Sequence, residues 1–459
     1  MARNPFRIPQ SELTEQRLEV RDVLRKTVRL GTPALMSSLV VFGMNFLNYI
    51  MMAIFLDYKY IASYGIVYAY TTLSAGMFLP LVAGTGYYLE RAQKEKDPYK
   101  VQKVISTSMI LSVLIGVGST IFAILITPGY IWQVWTPEEI KEVTSTFLRY
   151  FSFTFTPILY YGVTSIILIQ SGERTGPVLS EISALALHGS FSYIFVGLFG
   201  WDIRGCAISA IVAQSAASLI NTYLVLRLRE KNGVKTTTYF DWETAKNIGK
   251  EIWKPVAIAF LAGCFAIFLQ FYIDEFGMET IAAFTLLFVF QDLLFIPIHA
   301  MRAPARKLSK EYFDRGKNYA LVSAMNPLMI IGVFYALLLI PFTRLVGPVF
   351  FMALGHNAEV TEIAMHVLNL LSTFYVFYAI STVLSASLEG LGKEKLTVQF
   401  NFWFNLLTRF GILLLGVKLI QGVLSIAGCF PASWALSAAA LSIYYYATYS
   451  VDRKKKYSL

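Results

Sequence analysis

The apolar run LLFVFQDLLFIPI (residues 286–298) carries Gln291 and Asp292 in its middle. An aspartate in such surroundings has the chemistry of a proton carrier, because burial favours the neutral acid and hydration the carboxylate. The segment FNFWFNLLTRF (400–410) sets Asn401, Asn405 and Arg409 at i, i+4 and i+8, which is one face of a regular helix. A guanidinium beside amides suits an anion. His188 lies about eleven residues into the apolar stretch 177–198, with Ser192 one turn further on. Asn45 and Asn48 share a face of an earlier run, and His366 and Asn369 share a face of a later one. Tyr68 stands with Tyr64 and Tyr70 in a third. The candidate substrate- or ion-binding residues are therefore Asn45, Asn48, Tyr68, His188, Ser192, Gln291, Asp292, His366, Asn369, Asn405 and Arg409. Each has a structural alternative. Asparagine and glutamine tie helices together, a lone histidine packs with a hydrogen bond, and Asp292 with Arg409 would make an ion pair between two helices.

Metal and catalytic chemistry find little to use. The four histidines (188, 299, 356, 366) form no H-E-x-x-H pattern and no i, i+4 pair, and the three cysteines show no C-x-x-C spacing. No P-loop lysine motif is present. The chain reads as no enzyme and as having no cofactor, apart from H+ or Na+ as a coupling ion. A receptor is the remaining reading outside transport.

These residues need elements that hold polar groups inside a hydrophobic phase. The chain is 56% hydrophobic and only 15% charged, with a mean hydropathy of +0.56, against about 25% charged in soluble domains. A spanning helix takes ~20 mostly apolar residues. Twelve such runs are predicted, at 30–56, 60–88, 103–127, 143–169, 177–198, 205–226, 255–273, 280–300, 319–342, 360–387, 397–417 and 423–449. Asp292 would lie roughly 18 Å below one surface and Arg409 about 13 Å. Residues 1–29 are polar and no cleavable signal is expected. SELTEQRLEVRDVLRK (11–26) reads as an amphipathic helix or a solvated lead-in. Placing both termini in the cytoplasm puts 32 of the 39 Lys and Arg on that side, as the positive-inside rule requires. That bias explains the net charge of +10 better than nucleic-acid binding does. A plasma or inner membrane is expected.

An internal repeat organises the spans. At a shift of 220 residues YIASY (60–64) overlies TIAAF (280–284), and EEIKEVTSTFLRYFS (138–152) overlies AEVTEIAMHVLNLLS (358–372), with Ser152 on Ser372. Gly172 falls on Gly392. Six spans per half make the repeats parallel. The expected fold is all-α: a polytopic membrane protein with twelve transmembrane helices in two pseudo-symmetric six-helix bundles. The divisions are a cytoplasmic segment 1–29, a bundle 30–226, a cytoplasmic linker 227–254, a bundle 255–450 and a basic tail 451–459. Two bundles leave a cleft, and rocking of one against the other gives alternating access. Pro80, Pro157 and Pro297 interrupt spans two, four and eight.

With these motifs the chain resembles the MATE (multidrug and toxic compound extrusion) transporters of the MOP flippase superfamily. Pro33 and Pro255 resemble that family's prolines at the start of each half. IASYG (61–65), IAAF (281–284), FLRY (147–150), QSGERTGP (170–177), GWDIRGCAISAIVAQ (200–214) and LEGLGKEK (388–395) match its recurrent patterns. A fainter resemblance, carried by IASYGIVYAY (61–70) and LTRFGILL (407–414), links it to ankylosis-type anion exporters.

The resemblance implies a monomeric secondary active exporter of small organic molecules in the lipid bilayer, coupled to H+ or Na+ antiport. The alternative it offers is export of organic or phosphate-type anions, or flipping of a lipid-linked substrate. The family's coupling carboxylates do not carry over. The first span reads NFLN, with Asn48 where an acid is expected. The fifth reads HGSFS, with His188 and Ser192 in place of an asparagine and an aspartate. The seventh has no acid between Pro255 and Gln270. Asp292, His188 and His366 are the residues left for that role.

Overall fold

Long apolar runs without water can satisfy their backbone only within a helix, and every regular element described is helical. The computed structural model describes residues 10–133, 136–231, 239–315, 321–419 and 422–449. The basic tail 451–459 and residues 232–238 of the linker lie outside them. The helices are α1 (Gln10–Phe55), α2 (Tyr58–Lys94), α3 (Pro98–Gln133), α4 (Glu138–Phe151), α5 (Phe155–Gln170), α6 (Thr175–Ser192), α7 (Ile203–Lys231), α8 (Trp242–Asp274) and α9 (Met278–Ala300). They continue as α10 (Arg302–Asp314), α11 (Leu321–Gly355), α12 (Ala358–Thr373), α13 (Tyr375–Gly390), α14 (Glu394–Phe400), α15 (Thr408–Leu419), α16 (Leu424–Ala427) and α17 (Cys429–Tyr449). Among the described residues eleven helices are long and apolar enough to cross a membrane, and the bent pair α12–α13 makes a twelfth span.

Several helices overrun the predicted spans. One helix runs from Gln10 through the whole first span, so residues 11–26 are continuous with it rather than a separate helix. The ninth span continues to Gly355 despite Pro327, Pro341 and Pro348, which takes Arg344 into the helix.

Spans four and ten are both broken. A 3-10 turn at Ser152–Thr154 separates α4 from α5. It ends just before Pro157, which therefore falls in the first turn of α5, where a missing N–H costs nothing. Between α12 and α13 the chain bends by 53° at Phe374 with no proline. The Ser372 and Thr373 hydroxyls there turn back onto the Asn369 carbonyl at 3.5 and 3.1 Å, the local competition that weakens a helix. In repeat register Ser152 overlies Ser372, so both breaks occupy the same place.

The described residues group into two compact units that interleave along the chain. One holds Val40–Val289 with Phe350–Ala364. In it α2 lies along α8, α6 along α7, and α3 along α5. Gly263 lets α8 approach α2: a methyl there would come within 2.6 Å of the Leu73 Cα. The other holds the described part of Met1–Leu39, Phe290–Val349 and Met365–Leu459. Its core joins Leu308, Leu321, Met325, Leu384, Leu388, Leu441 and Tyr445. There α10 packs on α13, and Arg302 (2.8 Å) and Arg306 both pair with Glu389.

Candidate functional site

The amino-terminal unit contains a sealed polar layer. Met44, Ala184, Ala213 and Ala217 form a small buried cluster from α1, α6 and α7. One turn along each helix, residues 48, 188 and 209 occupy the same faces: Asn48, His188 and Ser209, all buried. The Ser209 hydroxyl lies 3.0 Å from His188 Nδ1 and 2.6 Å from the Ser192 hydroxyl, and donates to the Cys206 carbonyl at 2.8 Å. The Asn48 amide donates to the Tyr64 hydroxyl at 3.4 Å. Tyr64 is in turn within electrostatic reach of Cys206. Two atoms remain without a partner, Asn48 Oδ1 and His188 Nε2. Buried polar atoms are nearly always bonded, so this layer has unused capacity for an acceptor's guest.

The neighbouring candidates fall elsewhere. Asn45 is exposed while Asn48 is buried. A step of three residues turns a helix about 60° short of a full circle, enough here to cross the edge of the packed face. Tyr68 is half-buried, whereas Tyr64 and Tyr70 are buried in aromatic packing against Phe147 and Phe155.

The carboxy-terminal unit gathers a different set. Tyr378 on α13 stacks on Phe295 at 4.2 Å and lies against Trp434. Its hydroxyl is 2.7 Å from His299 Nε2. Arg409, Arg302 and Asp292 all act on Tyr378 electrostatically. Arg409 is half-buried, donates from Nε to the Ser433 hydroxyl at 2.9 Å, and lies 4.8 Å above the Phe430 ring. Asp292 is exposed, and Gln291 beside it is buried with Nε2 unpartnered. His366 and Asn369 are exposed on α12.

The expected single face of Asn401, Asn405 and Arg409 is altered. Residues Asn401–Leu407 form a π-helix between α14 and α15, whose bonds run i to i+5. A step of four then falls short of a turn. Asn401 is exposed and Asn405 half-buried, with its Oδ1 unpartnered.

Four residues of these surroundings escape a reading by type and spacing. Ser209 sits among alanines and reads as small-residue packing. Tyr378 and Ser433 lie in ordinary apolar spans. Asp274 ends the seventh span, and it is buried with one oxygen unpartnered. Its position at the end of an apolar run was the only available signal.

Comparison with known proteins decides the family. The MatE profile matches residues 33–194 and 255–413, two blocks that begin at Pro33 and Pro255. The chain belongs to the MATE family. It is 22% identical over 345 residues to the probable multidrug resistance protein NorM of Geobacillus kaustophilus, covering 72% of this chain and 73% of that one. The fold is similar to the inward-facing conformation of a multidrug resistance MATE transporter of the MOP superfamily (TM-score 0.80, 18% identity, 90% of this chain and 95% of that one). It is also similar to an outward-facing conformation of such a transporter (TM-score 0.69, 19% identity, 94% and 96%). A third similar structure is a MOP superfamily transporter from Pyrococcus furiosus, described as having a binding pocket of reverse polarity (TM-score 0.71, 18% identity, 93% and 95%). As a MATE protein this chain is a multi-pass membrane transporter and not an enzyme.

Proposed function

We propose that this MATE protein is a secondary active exporter of small organic molecules, working by alternating access and driven by a cation gradient. The observation that carries the coupling reading is the sealed layer around Ser209, where Asn48 Oδ1 and His188 Nε2 stand unpartnered inside the bundle. A nitrogen acceptor favours H+ over Na+, which takes oxygen ligands as hard cations do. His188 is therefore our candidate proton acceptor, and Asp292 a second one on an exposed face. We infer cytoplasmic termini from the distribution of Lys and Arg.

Reconstituted transport tests this under imposed pH, Na+ and voltage gradients, with cationic and anionic solutes compared. A pH gradient should drive flux, and His188→Gln should abolish the drive while leaving facilitated exchange. Flux driven by Na+ alone, or unchanged in His188→Gln, rejects the assignment.

A second reading has its own observation. Arg409 is presented with Phe430, Trp434 and Tyr378 in the carboxy-terminal unit, chemistry suited to an aromatic or phosphate-type anion. The reverse polarity described for the Pyrococcus furiosus protein lends support by analogy. Arg409→Gln should lower anion uptake by at least tenfold. Normal uptake of every anion in that variant removes this reading.

A further inference from the structure

The helix that opens each half of the sequence carries a row of three cations ahead of its proline. On α1 they are Arg21, Arg25 and Arg29, before Pro33; on α8 they are Lys246, Lys250 and Lys254, before Pro255. Steps of four residues put each set on one face, and all six side chains are exposed. The opposite faces are packed. Val23 of α1 enters the core with Ala305 and Leu308. Ala245 and Ile248 of α8 are buried, and Ile252 fits against α2 at Gly84, where a methyl would come within 2.5 Å of its Cγ2. An apolar side chain shares each exposed face, Val28 beside the arginines and Trp253 beside the lysines. Lys254 rests over the Trp253 ring at 5.5 Å.

Nearby cations are neutralised by partners: Lys26 by Asp22 and Glu311, both at 2.9 Å, Lys100 by Glu95 at 2.6 Å, and Lys103 by Asp241 at 3.2 Å. Among the described residues none of the six pairs with a carboxylate. Like charges four residues apart weaken a helix. A topology bias alone counts cations and asks neither for a shared face nor for missing partners. Of the acids on the opening turns of α8, Glu243 is exposed at the start of the row, and Glu251 acts electrostatically on Tyr88 of α2. Arg29 and Lys254 directly precede the apolar runs 30–56 and 255–273, which is headgroup depth. The next cation in each row lies ~6 Å further out and the last ~12 Å, inside the headgroup layer or within a Debye length of it. We propose that the two rows bind the phosphates of anionic phospholipids in the leaflet on the side of the linker, one site on each helix. The lysine and arginine heads take the phosphates, while Val28 and Trp253 lie at the level of the glycerol and upper acyl carbons. The inference goes beyond the transport reading and holds whichever ion or solute is carried.

The test counts lipids on the full chain in detergent by native mass spectrometry, with phosphatidylglycerol and phosphatidylcholine as probes. Wild type should hold two phosphatidylglycerols at least tenfold more tightly than phosphatidylcholine, since each cation near a lipid surface contributes about fivefold. Lys246→Gln with Lys250→Gln and Lys254→Gln should remove one of the two, and Arg21→Gln with Arg25→Gln and Arg29→Gln the other. Lys246→Arg with Lys250→Arg and Lys254→Arg keeps the charge and should keep both lipids. Arg91→Gln with Lys94→Gln and Lys100→Gln removes as much charge from paired positions and should also keep both. Brominated phosphatidylglycerol should quench the Trp253 emission, taken as wild type minus Trp253→Phe, more strongly than brominated phosphatidylcholine does. Equal binding of the two lipids by wild type, full retention in both glutamine variants of the rows, or an equal loss from the paired positions overturns the proposal. So does displacement of the lipid by millimolar inorganic phosphate, which would make the rows a site for the free anion. None of these readings uses transport, so failure of every transport assay would leave them standing.

Discussion

The two polar regions of this protein are built on opposite terms. Around Ser209 the side chains are neutral, buried and joined by short hydrogen bonds, with two atoms left unbonded. Around Tyr378 they are charged, partly exposed and supported by aromatic rings. The first arrangement suits a small guest such as a proton. The second suits a larger solute, since rings and a guanidinium present area as well as charge. On the function proposed above, coupling falls to the first region and recognition to the second, so each can be disturbed without the other.

The sharpest contrast comes from one hydroxyl. Ser209→Val should strand His188 Nδ1 and the Ser192 hydroxyl, and cost about 2–5 kcal/mol of stability in thermal unfolding. Asp292→Asn, on an exposed position, should stay within about 0.5 kcal/mol. Equal losses in the two variants would erase the distinction between sealed and open regions. Next in size is Arg409→Lys. It keeps the charge but loses the Nε donor to Ser433 and the planar contact with Phe430, for about 1–2 kcal/mol. An unchanged melting temperature would mean that the guanidinium geometry plays no part in packing.

A third substitution belongs to neither region and calibrates both. Asp241 caps α8 by accepting from the Thr244 amide at 2.9 Å and the Thr244 hydroxyl at 2.6 Å. These bonds, with a weaker contribution from Lys103, hold its carboxyl below the usual range. Its stabilisation is present above the unfolded value near 4 and is lost as pH falls through the folded value. Asp241→Ala should cost about 1 kcal/mol at neutral pH, and the gap from wild type should close in acid. A gap that is the same at both pH values would show that the cap does not act through its charge.

Much of the fold is legible in the sequence because hydropathy and helix length report the same physical limit. All twelve predicted spans have a counterpart, and the tenth is recovered only when α12 and α13 are taken together. Helix ends are less legible: α11 passes three prolines that argue for stopping earlier. Local winding is not legible at all, because NFWFNLL has the same composition whether it coils as α or π. For the candidate sites, His188 and Asp292 are conspicuous by type, but burial separates them. Asn45 and Asn48 look equivalent until packing places one outside. Ser209 is invisible because a serine among alanines has no signature, and Asp274 is easily taken for an interfacial acid at the end of a run.

The π-wound stretch Asn401–Leu407 has a consequence for how Arg409 is aimed. A wide turn amounts to one surplus residue in an otherwise regular rod. Rewinding the same residues as regular α-helix, with none removed, would swing everything beyond them by about 100°. Arg409 would then point away from Ser433 while its charge, depth and neighbours in the chain stayed the same. The wide turn therefore works as a compass setting, and the direction of this one cation is written in the winding of a seven-residue segment rather than in any side chain.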